Sequence, residues 1–204
     1  MNYPAFYDLA PRISMYDPLS ALLGASSGGV LEYTYSDAVR LAGHSCPTVA
    51  GAYLIARAAM LELYRDEPAE RGGIRVRMPA PESEGAMGVT AQVLTLITGA
   101  AADNGFHGIG GRFVRRSLLS YSTSAAGRAV YFSRQDSGAT VSVELDLATV
   151  PAPANLHELM SAALDPTATV AQRKAFALEW QGRVQRLLVD HADDPQVLRV
   201  ERLS

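Results

Sequence analysis

The sequence predicts an α+β domain, with helices packed on one side of a small mixed, mostly antiparallel sheet. Three observations predict it. Ile74-Arg75-Val76-Arg77-Met78 alternates apolar and charged, the pattern of a strand with one buried face. The run from Val49 to Leu63 is apolar and alanine-rich at helical spacing, the pattern of a buried central helix. The whole order reads helix, helix, strand, helix, three strands, helices, which is neither a regular βαβ alternation nor an all-β pattern. With 204 residues and 48% hydrophobic content, the chain can bury one sizeable core.

Taken in order, residues 1 to about 30 are rich in Pro, Tyr and Gly, with a short apolar segment from Pro18 to its terminator Gly24. ASSGG is a turn, and VLEYTY alternates toward Ser36, read as a helix N-cap. A helix then places Ala38, Leu41 and Ala42 on one face until Gly43-His44-Ser45-Cys46-Pro47 breaks it. Pro68 and Gly72-Gly73 mark a loop before the 74–78 strand. PAPESEG is a second loop, with Glu82 or Glu84 opening a helix that closes at Gly99. A glycine-rich loop, GAAADNGFHGIGG, leads to three predicted strands: RFVRRSLLSYS, AVYFSRQ and TVSVELDL. The last two are joined by a turn at Asp136-Ser137-Gly138. Pro151 and Pro153 end this region, which sets a domain at 1–150 and a C-terminal helical extension at 151–204. That extension carries helices at Leu156–Leu164 and Val170–Val189, then VLRVERL as a strand or a tail.

The formal net charge of −3 gives no basic face for a phosphate backbone, so no nucleic acid is expected. Arg112, Arg115 and Arg116 form a local basic run, read as the solvent side of a strand or as anion contacts. The apolar stretches are too short to span a bilayer, and no basic n-region precedes an apolar run at the N-terminus. One cysteine excludes an internal disulfide. A cytoplasmic protein with no membrane association is the expectation.

The GHSCP break is where chemistry concentrates. Proline is tolerated at the first position of a helix, where its missing N–H costs nothing. With Pro47 there, Cys46 becomes the N-cap, and free N–H groups and the positive helix end face its sulfur. That environment favours thiolate, the form that binds metal or attacks an electrophile. His44, two residues earlier, can reach the same spot, and Gly43 permits the turn. The bland alternative is a small core cysteine beside a structural histidine.

GHSCPTVAGAYLIARAAM resembles the GHxCPG segment that opens the E-subunit family of formylmethanofuran dehydrogenase and its homologues. LTLITGAAADNG, the basic segment after it and the hairpin AVYFSRQDSGATVSVEL are similar to that family's helix, its TGC…GKGN-like loop and its terminal strands. The matches run from about residue 35 to 147. The resemblance implies a fold like the catalytic domain of glyceraldehyde-3-phosphate dehydrogenase, binding of zinc or another divalent transition metal, and a homodimer. It also implies an accessory or small-ligand role, with a larger redox complex as a partner. The departures are specific. Ala100 stands where the family has a cysteine after Thr-Gly, Val89 and Gln92 replace a cysteine and an aspartate, and Thr48 replaces a glycine. Only His44 and Cys46 transfer residue by residue, and the family's molybdenum or tungsten chemistry does not.

Zinc takes four ligands, or three and a water. His107, in GFHGIGG, is the best third candidate, with Glu84 and Asp103 as oxygen-donor alternatives; His157 and His191 are expected on the surface. The alternative to a metal site is a cysteine-dependent enzyme, with Cys46 as nucleophile and His44 or His107 as base.

Overall fold

The computed structural model describes residues 3–125 and 127–203. A 3₁₀ turn at Ala5–Leu9 leads into β1 (Ile13–Tyr16), α1 (Pro18–Leu23) and β2 (Val30–Tyr33). Helices α2 (Tyr35–Ala42) and α3 (Pro47–Tyr64) follow, then β3 (Ala69–Glu70), β4 (Ile74–Met78) and α4 (Met87–Thr98). The second half contributes β5 (Leu119–Tyr121), β6 (Val130–Arg134), β7 (Thr140–Leu145), α5 (Leu156–Leu164), α6 (Val170–Gln185) and β8 (Leu198–Arg202). The strands form two mixed sheets, ordered β2-β1-β3 and β5-β4-β6-β7-β8. In the larger sheet only the β4–β5 pair is parallel. No helix is long and apolar enough to cross a membrane among the described residues.

The core sits between α3, α4 and one face of the five-stranded sheet. Helix α3 touches β6, β7 and β8, and α4 touches α3 and β4. Twelve residues of α3 are buried, so it is apolar almost all round rather than amphipathic. Its small residues let the sheet come close; Gly51 lies against Leu145, whose side chain fills the space a Cβ would take. Strand β4 follows its predicted alternation: Ile74, Val76 and Met78 are buried, and Arg75 and Arg77 are exposed. The outer face of the sheet is polar, and Arg77 stacks on the Tyr131 ring at 4.0 Å.

Local signals set many of the boundaries. α1, α2 and α4 end at Gly24, Gly43 and Gly99, each in the left-handed conformation. The β6–β7 turn falls at Asp136-Ser137-Gly138, where the Ser137 N–H donates to Asp136 Oδ1 at 2.6 Å.

Four places differ from the sequence reading. The N-terminal stretch, read only as Pro-, Tyr- and Gly-rich around one short apolar segment, supplies β1, which pairs Ile13 with Tyr33 and Met15 with Ala69. Helix α2 starts after Thr34, not Ser36, because the Thr34 N–H and hydroxyl both donate to Asp37 at 2.8 Å. Helix α4 opens at Met87, beyond both Glu82 and Glu84, with Ala86 at its N-cap. The predicted strand RFVRRSLLSYS is a strand only at Leu119–Tyr121. Phe113 and Ser117 take φ of 61° and 57°, and those left-handed residues cannot continue a ladder.

The kinked segment turns Arg115 inward. Its Nη2 donates to Asp17 Oδ1 at 2.8 Å, and its Nη1 donates to the Arg71 carbonyl. Arg71 Nη1 donates to Asp17 Oδ2 at 3.0 Å, and both Arg71 Nε and Nη2 donate to the Leu96 carbonyl. One carboxylate at the start of α1 thus ties the end of β1, the β3–β4 link, the end of α4 and the 112–118 loop together.

The chain after residue 150 does more than add helices. α5 and α6 pack on each other, and α5 buries no residue. α6 continues into a π-helical turn at Arg186–Asp190 that buries Leu187 and Leu188. β8 then returns as an edge strand, pairing Leu198 with Leu145 through Arg202 with Val141.

Candidate functional site

The GHSCP turn joins α2 to α3. Gly43 closes α2 at φ 75°, with its N–H on Val39 O. A Cβ there would meet nothing within 4 Å, so backbone conformation alone calls for the glycine. Cys46 is extended at φ −151° and ψ 167°, caps α3, and is followed by Pro47 at the first helical position. Its sulfur accepts the Val49 N–H at 3.4 Å, and the residue is 9% exposed.

His44 is exposed, and its Nδ1 lies 3.0 Å from the Ala42 carbonyl. A carbonyl only accepts, so Nδ1 donates to it, and in the neutral ring Nε2 is then the nitrogen with the lone pair. A backbone carbonyl in this position orients an imidazole for metal ligation through its other nitrogen.

Ser45, between them, is held most firmly. Its hydroxyl donates to Gln181 Oε1 at 3.0 Å and accepts from the Tyr35 hydroxyl at 2.9 Å. Its carbonyl accepts from Trp180 Nε1 at 2.8 Å and from Gln181 Nε2 at 3.3 Å. α6 therefore clamps the turn from the C-terminal part of the chain. Beneath it, Tyr7, Tyr35 and Tyr53 stack edge to face, with centroids 4.9 and 5.9 Å apart. Burial holds the Tyr35 phenol well above its ordinary pKa, and the Ser45 hydrogen bond offsets only part of that. Trp180→Phe keeps the ring packing but strips the donor from the Ser45 carbonyl. We expect a loss of about 1 kcal/mol in urea unfolding, the usual worth of one hydrogen bond. An unchanged midpoint would show that the clamp contributes nothing.

His107 lies on another loop. It is exposed, and Arg116 Nη1 is 3.4 Å from its Nδ1. The loop is tightly built: a Cβ at Gly105 would sit 2.6 Å from the Arg116 backbone, and one at Gly108 would overlap the Arg112 carbonyl. Asp103 receives Ser117 Oγ at 3.3 Å, and the Glu84 carbonyl accepts the Met87 N–H at 3.1 Å. His157 is exposed on α5, and His191 pairs with Asp194 at 2.8 Å. Among the described residues no three His, Cys, Asp or Glu side chains form a group that could hold a metal ion. His44 and Cys46 share one turn; His107 does not join them in a three-ligand cluster. Ala100 is fully buried, its N–H on Thr98 Oγ1 at 3.1 Å.

Two groups carry no signal in the sequence. Trp180 and Gln181 read there as part of a helix, and their partner Ser45 lies 135 and 136 residues away. Asp17 and Arg71 carry no motif beyond an Asp-Pro helix start. Comparison with protein-family models and with curated proteins finds no match to this chain.

Proposed function

We propose that the protein binds a divalent transition metal, zinc by preference, through His44 Nε2 and Cys46 Sγ. The observation that carries this reading is the His44 Nδ1 bond to the Ala42 carbonyl, 3.0 Å long, two residues from a cysteine at a helix N-terminus. It favours the tautomer that ligates through Nε2. The Val49 N–H on Cys46 Sγ fixes the sulfur at the start of α3. A soft thiolate with an imidazole suits zinc. Two protein ligands leave a tetrahedral ion two positions short. Water, a small ligand or a second copy of the chain completes it, which fits a homodimer and an accessory role near a redox complex. His107 enters the sphere only from another chain or after its loop moves.

Elemental analysis of the purified protein tests this, together with zinc uptake by protein stripped with chelator. Zinc is expected near one per chain at saturation, and His44→Ala or Cys46→Ala is expected to weaken uptake by at least about tenfold. His107→Ala separates the arrangements: unchanged uptake places both ligands in one turn, and reduced uptake with a zinc-dependent mass increase in light scattering places His107 in a shared site. Metal retained by the His44→Ala, Cys46→Ala double variant would overturn the reading, as would no uptake by the stripped wild type.

A further inference from the structure

The strongest unassigned feature is the cavity beside the Asp17 cluster. It holds about 510 Å³ and is bordered by Arg71, Arg112, Arg115, Tyr16, Glu70 and Gln135. Three guanidinium groups border it against one carboxylate, Glu70. Asp17 lies beneath, buried and paired to both Arg71 and Arg115. The local balance is one positive charge in excess.

Arg115 is held there at a cost. Burial disfavours its charge, and Asp17 opposes that effect only in part. Its Nε–H is the one buried side-chain N or O without a hydrogen-bond partner among the described residues. Such orphaned donors are rare and call for an explanation. Phe113 and Ser117, on either side of it, both take positive φ, and Gly72 and Gly99 leave room for its guanidinium. Strain of this kind persists where the surroundings over-determine a functional geometry. Arg112 makes no ion pair among the described residues; its guanidinium rests 5.0 Å above the Phe113 ring.

A second cavity of about 750 Å³ shares Tyr16, Glu70, Gly72 and Gln135 with the first, and adds Tyr64, Pro68 and Arg134. Arg134 there pairs with both Glu67 and Asp136 and stacks on Tyr64 at 4.2 Å. The surface next to the cationic pocket is thus aromatic and, with two carboxylates against one guanidinium, carries one net negative charge.

We propose that this joined cavity binds a small organic anion: its charged head lies among Arg71, Arg112 and Arg115, and its apolar or aromatic body lies along Tyr16, Tyr64 and Pro68. The head is a carboxylate or a phosphate monoester, both of which suit the planar fork of Arg112, the guanidinium of the three that is not committed to Asp17. The single excess charge, together with Glu67 and Asp136 in the adjoining cavity, disfavours polyanions such as nucleic acid.

Isothermal titration with phenyl phosphate and, separately, with benzoate tests the site and distinguishes the two heads. At least one is expected to bind with a dissociation constant below about 1 mM, the range reached by a few charged hydrogen bonds. Arg112→Glu is expected to weaken that binding about tenfold or more. Because Arg112 is exposed, the variant keeps its fold, which its melting temperature reports. Arg75→Ala, on the outer face of β4, is expected to leave binding unchanged. The proposal is overturned if neither probe binds at 100-fold excess, or if Arg112→Glu and Arg75→Ala weaken binding equally, which would mark general charge attraction.

Discussion

Asp17→Asn is expected to destabilise the protein by about 3–5 kcal/mol in urea unfolding, the usual penalty for removing one member of a buried ion pair. The substitution is nearly isosteric and leaves an oxygen to accept the Leu19 and Ser20 N–H groups, now at 2.8 and 3.1 Å. The cap of α1 therefore survives, while the charge and the acceptor for Arg71 Nη1 are lost. Arg115 has a side chain 7% exposed and would face Arg71 with no carboxylate between them. Asp17→Ala removes the cap as well, and costs about 1 kcal/mol more.

The pH dependence follows from the same geometry. Burial raises the Asp17 pKa, but the Ser20 N–H and the two arginines lower it further, and the net shift is downward. A carboxyl group depressed in the folded state stabilises fully above its unfolded value, about 3.9, and loses that contribution as pH falls through the folded value. Wild type is therefore expected to lose more stability than Asp17→Asn below about pH 4. Parallel stability curves in acid, or a variant within about 0.5 kcal/mol of wild type at neutral pH, would contradict this account.

Gly72→Ala is expected to be comparably severe, by a different route. Gly72 has φ 86°, and a Cβ there would overlap Arg115 Nη1. Left-handed backbone costs alanine about 1–2 kcal/mol. The overlap adds more, because Arg115 can move only by leaving Asp17 and the Arg71 carbonyl. The total is expected near 3–5 kcal/mol. A double-mutant cycle separates the two terms. In an Arg115→Met background the overlap is with a flexible, uncharged chain, so Gly72→Ala should cost only the backbone strain, about 1–2 kcal/mol. Equal costs in both backgrounds would show that the Arg115 contact is unimportant.

The candidate site divides along the same line between local and distant causes. The Cys46 cap and Pro47 start are properties of five consecutive residues, and they are legible in the sequence. His107 is attached to that turn only by the resemblance to a family whose second motif falls in its loop; in the fold, Arg116 stands beside it instead. The firmest contacts to the turn come from Trp180 and Gln181, whose helix shows only an apolar face and a run of charges in sequence. Nothing local marks a tryptophan as the donor to a carbonyl 135 residues away.

By itself the sequence determined the α+β class, the buried central helix, the one-faced strand β4, the glycine helix ends and the capped turn at Cys46. Each depends on periodicity or on a cap spanning a few residues, so its cause lies within the segment. Only the tertiary structure decided that β1 and β3 form a second sheet and that the end of the chain closes the first. It also decided that RFVRRS is a kinked loop rather than a strand. Two-residue and four-residue strands carry too little pattern to read, and their ladders depend on a partner elsewhere in the chain. Arg115 is the clearest case: within its basic run it reads as the solvent side of a strand or as an anion contact, until a carboxylate 98 residues away is brought within 2.8 Å.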